Sequence, residues 1–198
     1  MKIRNELMDE MGLLALLRED FNCHYRDVTK PGFQAMAVYR FGVWARSRRL
    51  YLSRMLFGAI HFVLFCFIRN VYGIEIPYTA KLGRRVHIGH QSGIVIHEFC
   101  TMGDDCVVRQ NVTIGIGGVK RGHFGPEHAP VIGRHVDFAA GAVVVGNVRI
   151  GDSVNIGPNA VIVTDVKSNT TVMAPPARMM ARPAANTAAV SPDLEMSA

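Results

Sequence analysis

His90 is the side chain in this sequence best suited to move a proton. An imidazole with an unperturbed pKa of about 6.5 is partly neutral near pH 7 and can take a proton from a hydroxyl. It stands in the segment RVHIGHQSG, residues 85–93, and Glu75 precedes it by fifteen residues. If three six-residue units make one turn of a coil, Glu75 comes within one coil of the ring. There a carboxylate could keep one ring nitrogen protonated and leave the other free as a base. A solvated histidine in a turn is the plainer alternative, and spacing alone does not separate the two. His87 and His97 flank His90 and raise a second chemistry, a zinc site. Zinc needs three converging ligands. His87 closes its repeat unit and His97 follows a slip in frame, so their outward directions diverge and no metal is expected.

The scaffold that must hold these residues shows in a change of period. From Glu6 to about Arg69 the pattern is helical, with Leu7, Met11, Leu14 and Leu17 on one expected stripe. The first helical stretch should stop before Tyr25. Lys30, Pro31 and Gly32 mark a break, after which Phe33, Met36, Ala37, Arg40, Phe41 and Trp44 restart the helical period as a core stripe. After Gly73 the period becomes six. Ile132, Phe138, Val144, Ile150, Ile156 and Ile162 are all large and apolar, and four places on come Val136, Ala142, Val148, Val154, Ala160 and Val166. Gly133, Ala139, Gly151 and Gly157 follow the leading residue, where the backbone is expected to turn tightly. Upstream, Ile76, Leu82 and Ile88 lead, with Ala80, Val86 and Ser92 in the second slot. The frame then slips by two and resumes at Ile96, Met102, Val108 and Ile114, with Cys100, Cys106 and Val112 inward. A period of six fits neither a helix nor a plain alternating strand; it marks a parallel β-helix of short strands joined by turns.

The fold class is therefore mainly β: a hexapeptide-repeat β-helix over residues 71–183, preceded by a small α-helical domain at 1–70. Between Ile116 and Pro130 the hexads fail, and glycines mix with Lys120, Arg121, His123, Glu127 and His128, as in a loop extruded from the coil. Residues 184–198 have no period, and disorder is expected there.

Composition narrows the function classes. The chain has 198 residues, 49% of them apolar, enough for one core with a small appendage. Its formal charge is +6, yet Lys and Arg are scattered apart from Arg46, Arg48, Arg49 and Arg54, and no aromatic interleaving suggests nucleic acid. Cys23, Cys66, Cys100 and Cys106 stand far apart and follow no secretion signal, which points to a reducing cytoplasm. The apolar run Met55–Ile68 contains Gly58 and His61 and is shorter than the roughly 18 residues that span a bilayer. A buried helix is expected. A membrane-surface helix flanked by Arg54 and Arg69 is the alternative, and with it a non-catalytic assembly or membrane-surface protein.

Residues 73–178, together with GFQAMAVYRFGVWA at 32–45, resemble the serine acetyltransferases of the hexapeptide-repeat family. The resemblance implies a left-handed coil, acetyl-CoA as co-substrate with no permanently bound cofactor, and a homotrimer. The segment IEIPYTAKLGRRVHIGHQSGIVI, 74–96, carries an acid and a histidine at the family spacing, which implies Glu75 as orienting acid, where aspartate is usual, and His90 as general base. VTIGIGG at 112–118 is similar to the segment beside acetyl-CoA and points to Gly115 and Gly117. FAAGAVVVGN at 138–147 and NIGPNAVIV at 155–163 resemble coils lining the coenzyme groove between subunits, and point to Ala140, Gly157 and Pro158; APPAR at 174–178 resembles the closing element.

Departures bear on the acceptor. Family members that use serine carry an aspartate for the amino group where this chain has Gly89, and an Arg-His pair for the carboxylate where it has Glu127 and His128. Asp20 is similar in placement to another amine-binding acid. L-serine is the acceptor implied by the resemblance. A saccharide hydroxyl is the alternative, because short chains with an REDFN-like segment resemble members associated with exopolysaccharide synthesis. A hydratase similar to γ-type carbonic anhydrases is a further alternative. The short helical part implies a simple trimer, and the LEMSA terminus implies no complex with the sulfhydrylase of cysteine synthesis.

Overall fold

The computed structural model describes residues 6–118 and 125–180. The segment 119–124 of the extruded loop and the tail expected to be disordered, 184–198, lie outside the described residues. Four helices come first: α1 (Glu6–Met11), α2 (Leu13–Cys23), α3 (Pro31–Ser47) and α4 (Tyr51–Phe67), the last running into a π-turn at Ile68–Tyr72. Pro31 opens α3, where its missing N–H costs nothing. Gly12, at φ +77°, separates α1 from α2 and resets the helical phase. The expected stripe holds at Leu7 and Met11, which pack against the core, and breaks at Leu14, which is 82% exposed; Met8, Leu16 and Asp20 are buried.

From Ile74 the chain coils through three parallel faces. The first face carries Ile74–Glu75, Ile94–Ile96, Thr113–Gly115, Val143–Val145 and Val161–Ile162. The second carries Lys81–Leu82, Thr101–Met102, Val131–Ile132 and Arg149–Ile150. The third carries His87–Ile88, Val107–Val108, Asp137–Phe138, Asn155–Ile156 and Thr171–Val172. One coil takes eighteen residues, as the pairings Val95↔Thr113 and Val143↔Val161 show. The frame slip is a real two-residue insertion, since Lys81 pairs with Thr101; Ile94, not Ser92, fills the inward slot. The extruded loop adds twelve residues, since Thr113 pairs with Val143.

Leading residues from Ile76 to Ile162 lie in one apolar column, with Cys100 and Cys106 among the fully buried positions. The glycines after the leading residues have a different cause from the one expected. A Cβ at Gly103 would stand 2.7 Å from the Gly133 carbonyl oxygen, and one at Gly133 would stand 2.8 Å from the Asp152 nitrogen. These positions are small because successive coils nearly touch there. The left-handed turn residues come two places later, at Arg85, Asp105, His135 and Ser153.

The helices close the first end of the coil. A β-helix ends in a ring of strand edges whose polar groups need partners. The Tyr39 hydroxyl donates to the Ala80 carbonyl (2.8 Å) and accepts from the Leu82 N–H (3.1 Å). Arg40 donates to the carbonyls of Leu82 (3.3 Å) and Gly83 (2.6 Å), and its other contacts go to Asp20 (2.8 Å). Arg84 pairs with Glu19 beside them.

Helix α4 departs most from its expectation. Of Met55–Ile68, only Gly58, His61 and Ile68 are buried, and Phe62, Val63 and Phe67 face outward. The helical stretch Tyr51–Tyr72 is also longer than the apolar run suggested, at 22 residues, long and apolar enough to cross a membrane by length and composition. His61 fits against α3 because position 42 is glycine; a Cβ there would lie 2.3 Å from the His61 Nε2.

Candidate active site

The register stacks residues in columns along the coil's corners. His87, Val107, Asp137 and Asn155 are successive neighbours on the third face. Three places on, Gln110, Ala140 and Pro158 stack at the corner between the third and first faces; the Asn111 N–H donates to the Ser92 carbonyl (2.9 Å), so His90 stands at the same corner on the two-residue insertion, outside that column. His90 is held there from below. Ile88 is buried, its N–H donates to His24 Nε2 (3.1 Å), and the Gly89 N–H donates to the Val108 carbonyl (2.8 Å). The next residue must turn outward, and the ring of His90 is exposed.

His90 opens on a cavity of about 610 Å³ where the α2–α3 connection meets the third face. Its walls are Cys23, His24, Tyr25, Lys30, Pro31 and Gly32 from the helical part, and Arg85, His87, Gly89, Asp105 and Arg109 from the coil. Tyr25 and Arg26 both adopt positive φ, a strained conformation for residues with a side chain. Aromatic packing holds that turn: Tyr25 meets the His87 ring edge-on at 5.5 Å, and His87 stacks on His24 at 4.7 Å.

Hydrogen bonds fix two imidazole tautomers. His24 Nδ1–H donates to the Asp20 carbonyl (2.6 Å), so Nε2 is the acceptor for Ile88. His87 Nδ1–H donates to the Cys23 carbonyl (2.8 Å), which leaves its Nε2 lone pair uncommitted. That atom faces the space above Gly89, since a Cβ there would lie 3.8 Å from it. Burial lowers the pKa of His87, against the pull of the Cys23 carbonyl, and Arg109 and His90 lower it further.

Burial lowers His24 to about 4, and His61, buried beside Arg46, also to about 4. The unfolded chain takes up protons at both imidazoles below the ordinary 6.5, whereas the folded chain does so only near 4. Stability is thus full above that window and falls as pH drops through it. The thermal midpoint should fall between pH 7 and pH 5, and a His24→Gln variant should show a shallower fall over the same interval.

The expected site residues divide. His90 lines the cavity; Glu75 does not. Glu75 lies on the first face in a separate cavity with Phe65, Val95, His97 and Glu98, and no hydrogen bond joins it to His90. The orienting pair expected from sequence is not formed within the chain: Glu75 lies on the first face and His90 at the corner leading into it, and they line separate cavities. Asp20 is also corrected. It is fully buried and bonded to Arg40, so its carboxylate does not face the cavity as an amine ligand would. His128 sits in a short 3-10 turn, 3.4 Å from Glu127 and outside the cavity.

Among the coenzyme candidates, Gly115 has open space where a Cβ would be, and Ala140 and Pro158 lie at the corner that also carries His90. Gly117 and Gly157 are also held small by stacking: a Cβ would meet the Gly146 nitrogen at 3.1 Å and Met173 Sδ at 2.5 Å, respectively. The Gln110 Oε1, at the same corner, is buried without a partner among the described residues.

Sequence reasoning missed Lys30, Arg85 and Arg109 as cavity residues. Arg109 was reachable, since the register puts it one coil beyond Gly89; Lys30 was not, because only helix docking brings it there. Zinc chemistry fits poorly. The described residues with mutually close ligand atoms are Cys23, His24 and His87, within 4.8 Å. Both His24 nitrogens are engaged, and burial pushes the Cys23 thiol up to about 12. His97 lines a different cavity from His87 and His90.

The fold and corner site define a class, the left-handed parallel β-helix proteins of hexapeptide repeats with an N-terminal helical part. Within that class the chain is similar to the serine acetyltransferases. It is 36% identical over 152 residues to the serine acetyltransferase of Synechococcus elongatus, covering 77% of this chain and 58% of that protein. It is 44% identical over 108 residues to that of Staphylococcus aureus strain Mu50, covering 54% of this chain and 49% of that protein. The chain thus matches about half to three fifths of these relatives' length. The crystal structure of the Vibrio cholerae enzyme superposes with a TM-score of 0.68 at 26% identity, covering 91% of this chain and 72% of that one. The Neisseria gonorrhoeae enzyme in complex with serine also gives 0.68 at 26% identity, covering 87% and 71%. No family model matches the chain.

Proposed function

We propose that this chain is the subunit of an acetyl-CoA-dependent O-acetyltransferase with His90 as general base. The observation that carries the reading is the exposed His90 imidazole, which lines a polar cavity and shares its corner with Ala140 and Pro158. The acceptor hydroxyl gives its proton to His90 as its oxygen bonds to the thioester carbonyl carbon. The carbon–sulfur bond then breaks, and the imidazolium returns the proton to the departing thiolate. No covalent enzyme intermediate is needed, and no cofactor stays bound.

The corner that carries His90 leads into the first face, and Gly115 stands at the far end of that face, closing the strand Thr113–Gly115. A thioester touching both would lie between two copies, which supports a homotrimer with the coenzyme groove at the subunit boundary. Gly115 and Gly117 would then offer backbone N–H groups to the oxyanion. In this reading Gly157 and Pro158 line the groove, His128 reaches the acceptor from the loop, and Glu75 has a secondary part. Four free cysteines, two of them buried, support a reducing cytoplasm. No sulfhydrylase partner is proposed.

L-serine is the first acceptor, following the homologues' names. A specific observation favours the second, a saccharide hydroxyl. The cavity wall carries Lys30, Arg85 and Arg109 and one carboxylate, Asp105, whose two oxygens are both bonded to Arg85 at 2.6 Å; Arg109 pairs with Asp137. No lining carboxylate is left there for an ammonium group. A sugar hydroxyl needs none. Thiol release from acetyl-CoA should be faster with saccharides than with L-serine. Gly89→Asp, whose Cβ has no neighbour nearer than 3.7 Å, should move the preference toward serine on the order of tenfold. No thiol release with any acceptor would overturn the transferase reading, and a clear preference of the wild type for serine would overturn the saccharide one.

A further inference from the structure

The outer face of α4 has no partner among the described residues. Leu52, Leu56, Ile60, Val63, Phe67 and Val71 recur at spacings of three and four, and each is at least 43% exposed. Phe62 beside them is 64% exposed. Only 17% of the most apolar window of Tyr51–Tyr72 is buried. An apolar face of this extent marks an interaction surface.

Charge says what covers it. Residues 46–72 contain Arg46, Arg48, Arg49, Arg54 and Arg69 and no Asp or Glu. The arginines stand at the two ends of the apolar stretch, close to aromatic rings: Arg48 over Trp44 (4.3 Å), Arg54 over Tyr51 (5.7 Å) and Arg69 over Phe65 (5.4 Å). Aromatic rings and arginines bracketing an apolar face match the layering of a bilayer interface. A second copy laid on the same face would bring like charges together; an anionic lipid surface meets them with opposite charge.

The inner face settles the orientation. Gly58 and His61 are buried against α3, Phe57 packs on Phe41 and Trp44, and the His61 ring meets Tyr78 of the first coil. A helix fastened along its side to polar structure cannot cross a bilayer without dragging that structure inside. It can lie flat.

We propose that α4 is an in-plane membrane helix that seats the protein on an anionic phospholipid surface, its apolar face among the acyl chains and its arginines among the headgroups. The test is co-sedimentation of the full chain with vesicles of phosphatidylglycerol and phosphatidylcholine, against vesicles of phosphatidylcholine alone. Val63→Asp/Phe67→Asp changes two exposed positions, so the thermal midpoint should stay near that of the wild type. The wild type should sediment with the anionic vesicles, bind the neutral ones on the order of tenfold or more weakly, and lose affinity as salt rises. The double variant should lose binding to a similar degree. Wild-type protein that stays in the supernatant with both vesicles overturns the proposal. So does a double variant that binds as the wild type does, or one whose change is a smaller oligomer with vesicle binding intact, which would assign the face to a second copy. None of these readouts depends on acetyl transfer.

Discussion

His90→Ala should lose about 10²- to 10⁴-fold in turnover, the usual contribution of general-base catalysis, while the affinity for acetyl-CoA changes little. The imidazole is exposed at the corner and no hydrogen bond to it is formed among the described residues, so its removal should leave the coil intact. Thiol release at saturating acceptor reads the rate, and equilibrium binding of acetyl-CoA reads the affinity. Wild-type turnover in the variant would remove His90 from the mechanism. Glu75→Gln should cost much less, within about tenfold, because no hydrogen bond links that carboxylate to the ring. A loss equal to that of His90→Ala would show that assembly brings the pair together.

The largest effect on stability should come from Arg40→Met. Arg40 and Asp20 are almost wholly inaccessible, at 1% and 0% exposure, and are joined at 2.8 Å. Removing the guanidinium leaves a buried carboxylate without its counter-charge and frees the carbonyls of Leu82 and Gly83 at the coil's end. Breaking a buried pair in this way costs about 3–5 kcal/mol. For a chain of this size that lowers Tm by roughly 6–20 °C, measurable by calorimetry. Asp20→Asn distinguishes structure from substrate binding. It should lower Tm and leave the acceptor KM of the folded protein unchanged; a raised KM at unchanged Tm would restore Asp20 to the site.

These two residues show how far the sequence could be read. His90 was legible because a turn position in a hexad faces outward whatever else the chain does. Asp20 was misread because its placement depends on α2, whose phase is reset by Gly12 at φ +77°. The stripe broke at Leu14 for the same reason. Helix α4 was legible only as an apolar run, whose hydropathy is equally that of a buried helix and of a face turned to a non-aqueous partner. Glu75 was placed by spacing and by the family resemblance, which fix how far along the coil a residue lies and leave open what it touches.

The sequence by itself determined the coil: its period of six, the two-residue slip before Ile96, the loop after Ile116 and the outward imidazole at 90. Each follows from a pattern that repeats within a few residues, where inward positions must be apolar and coil-to-coil contacts must be small. Tertiary structure decided the rest. Docking α2 and α3 against the coil's open end turned Asp20 inward and brought Lys30 to Arg109 and His87 around His90. Those contacts join residues from 20 to 64 positions apart, and their energy depends on shape and charge meeting across that gap, which no local period encodes.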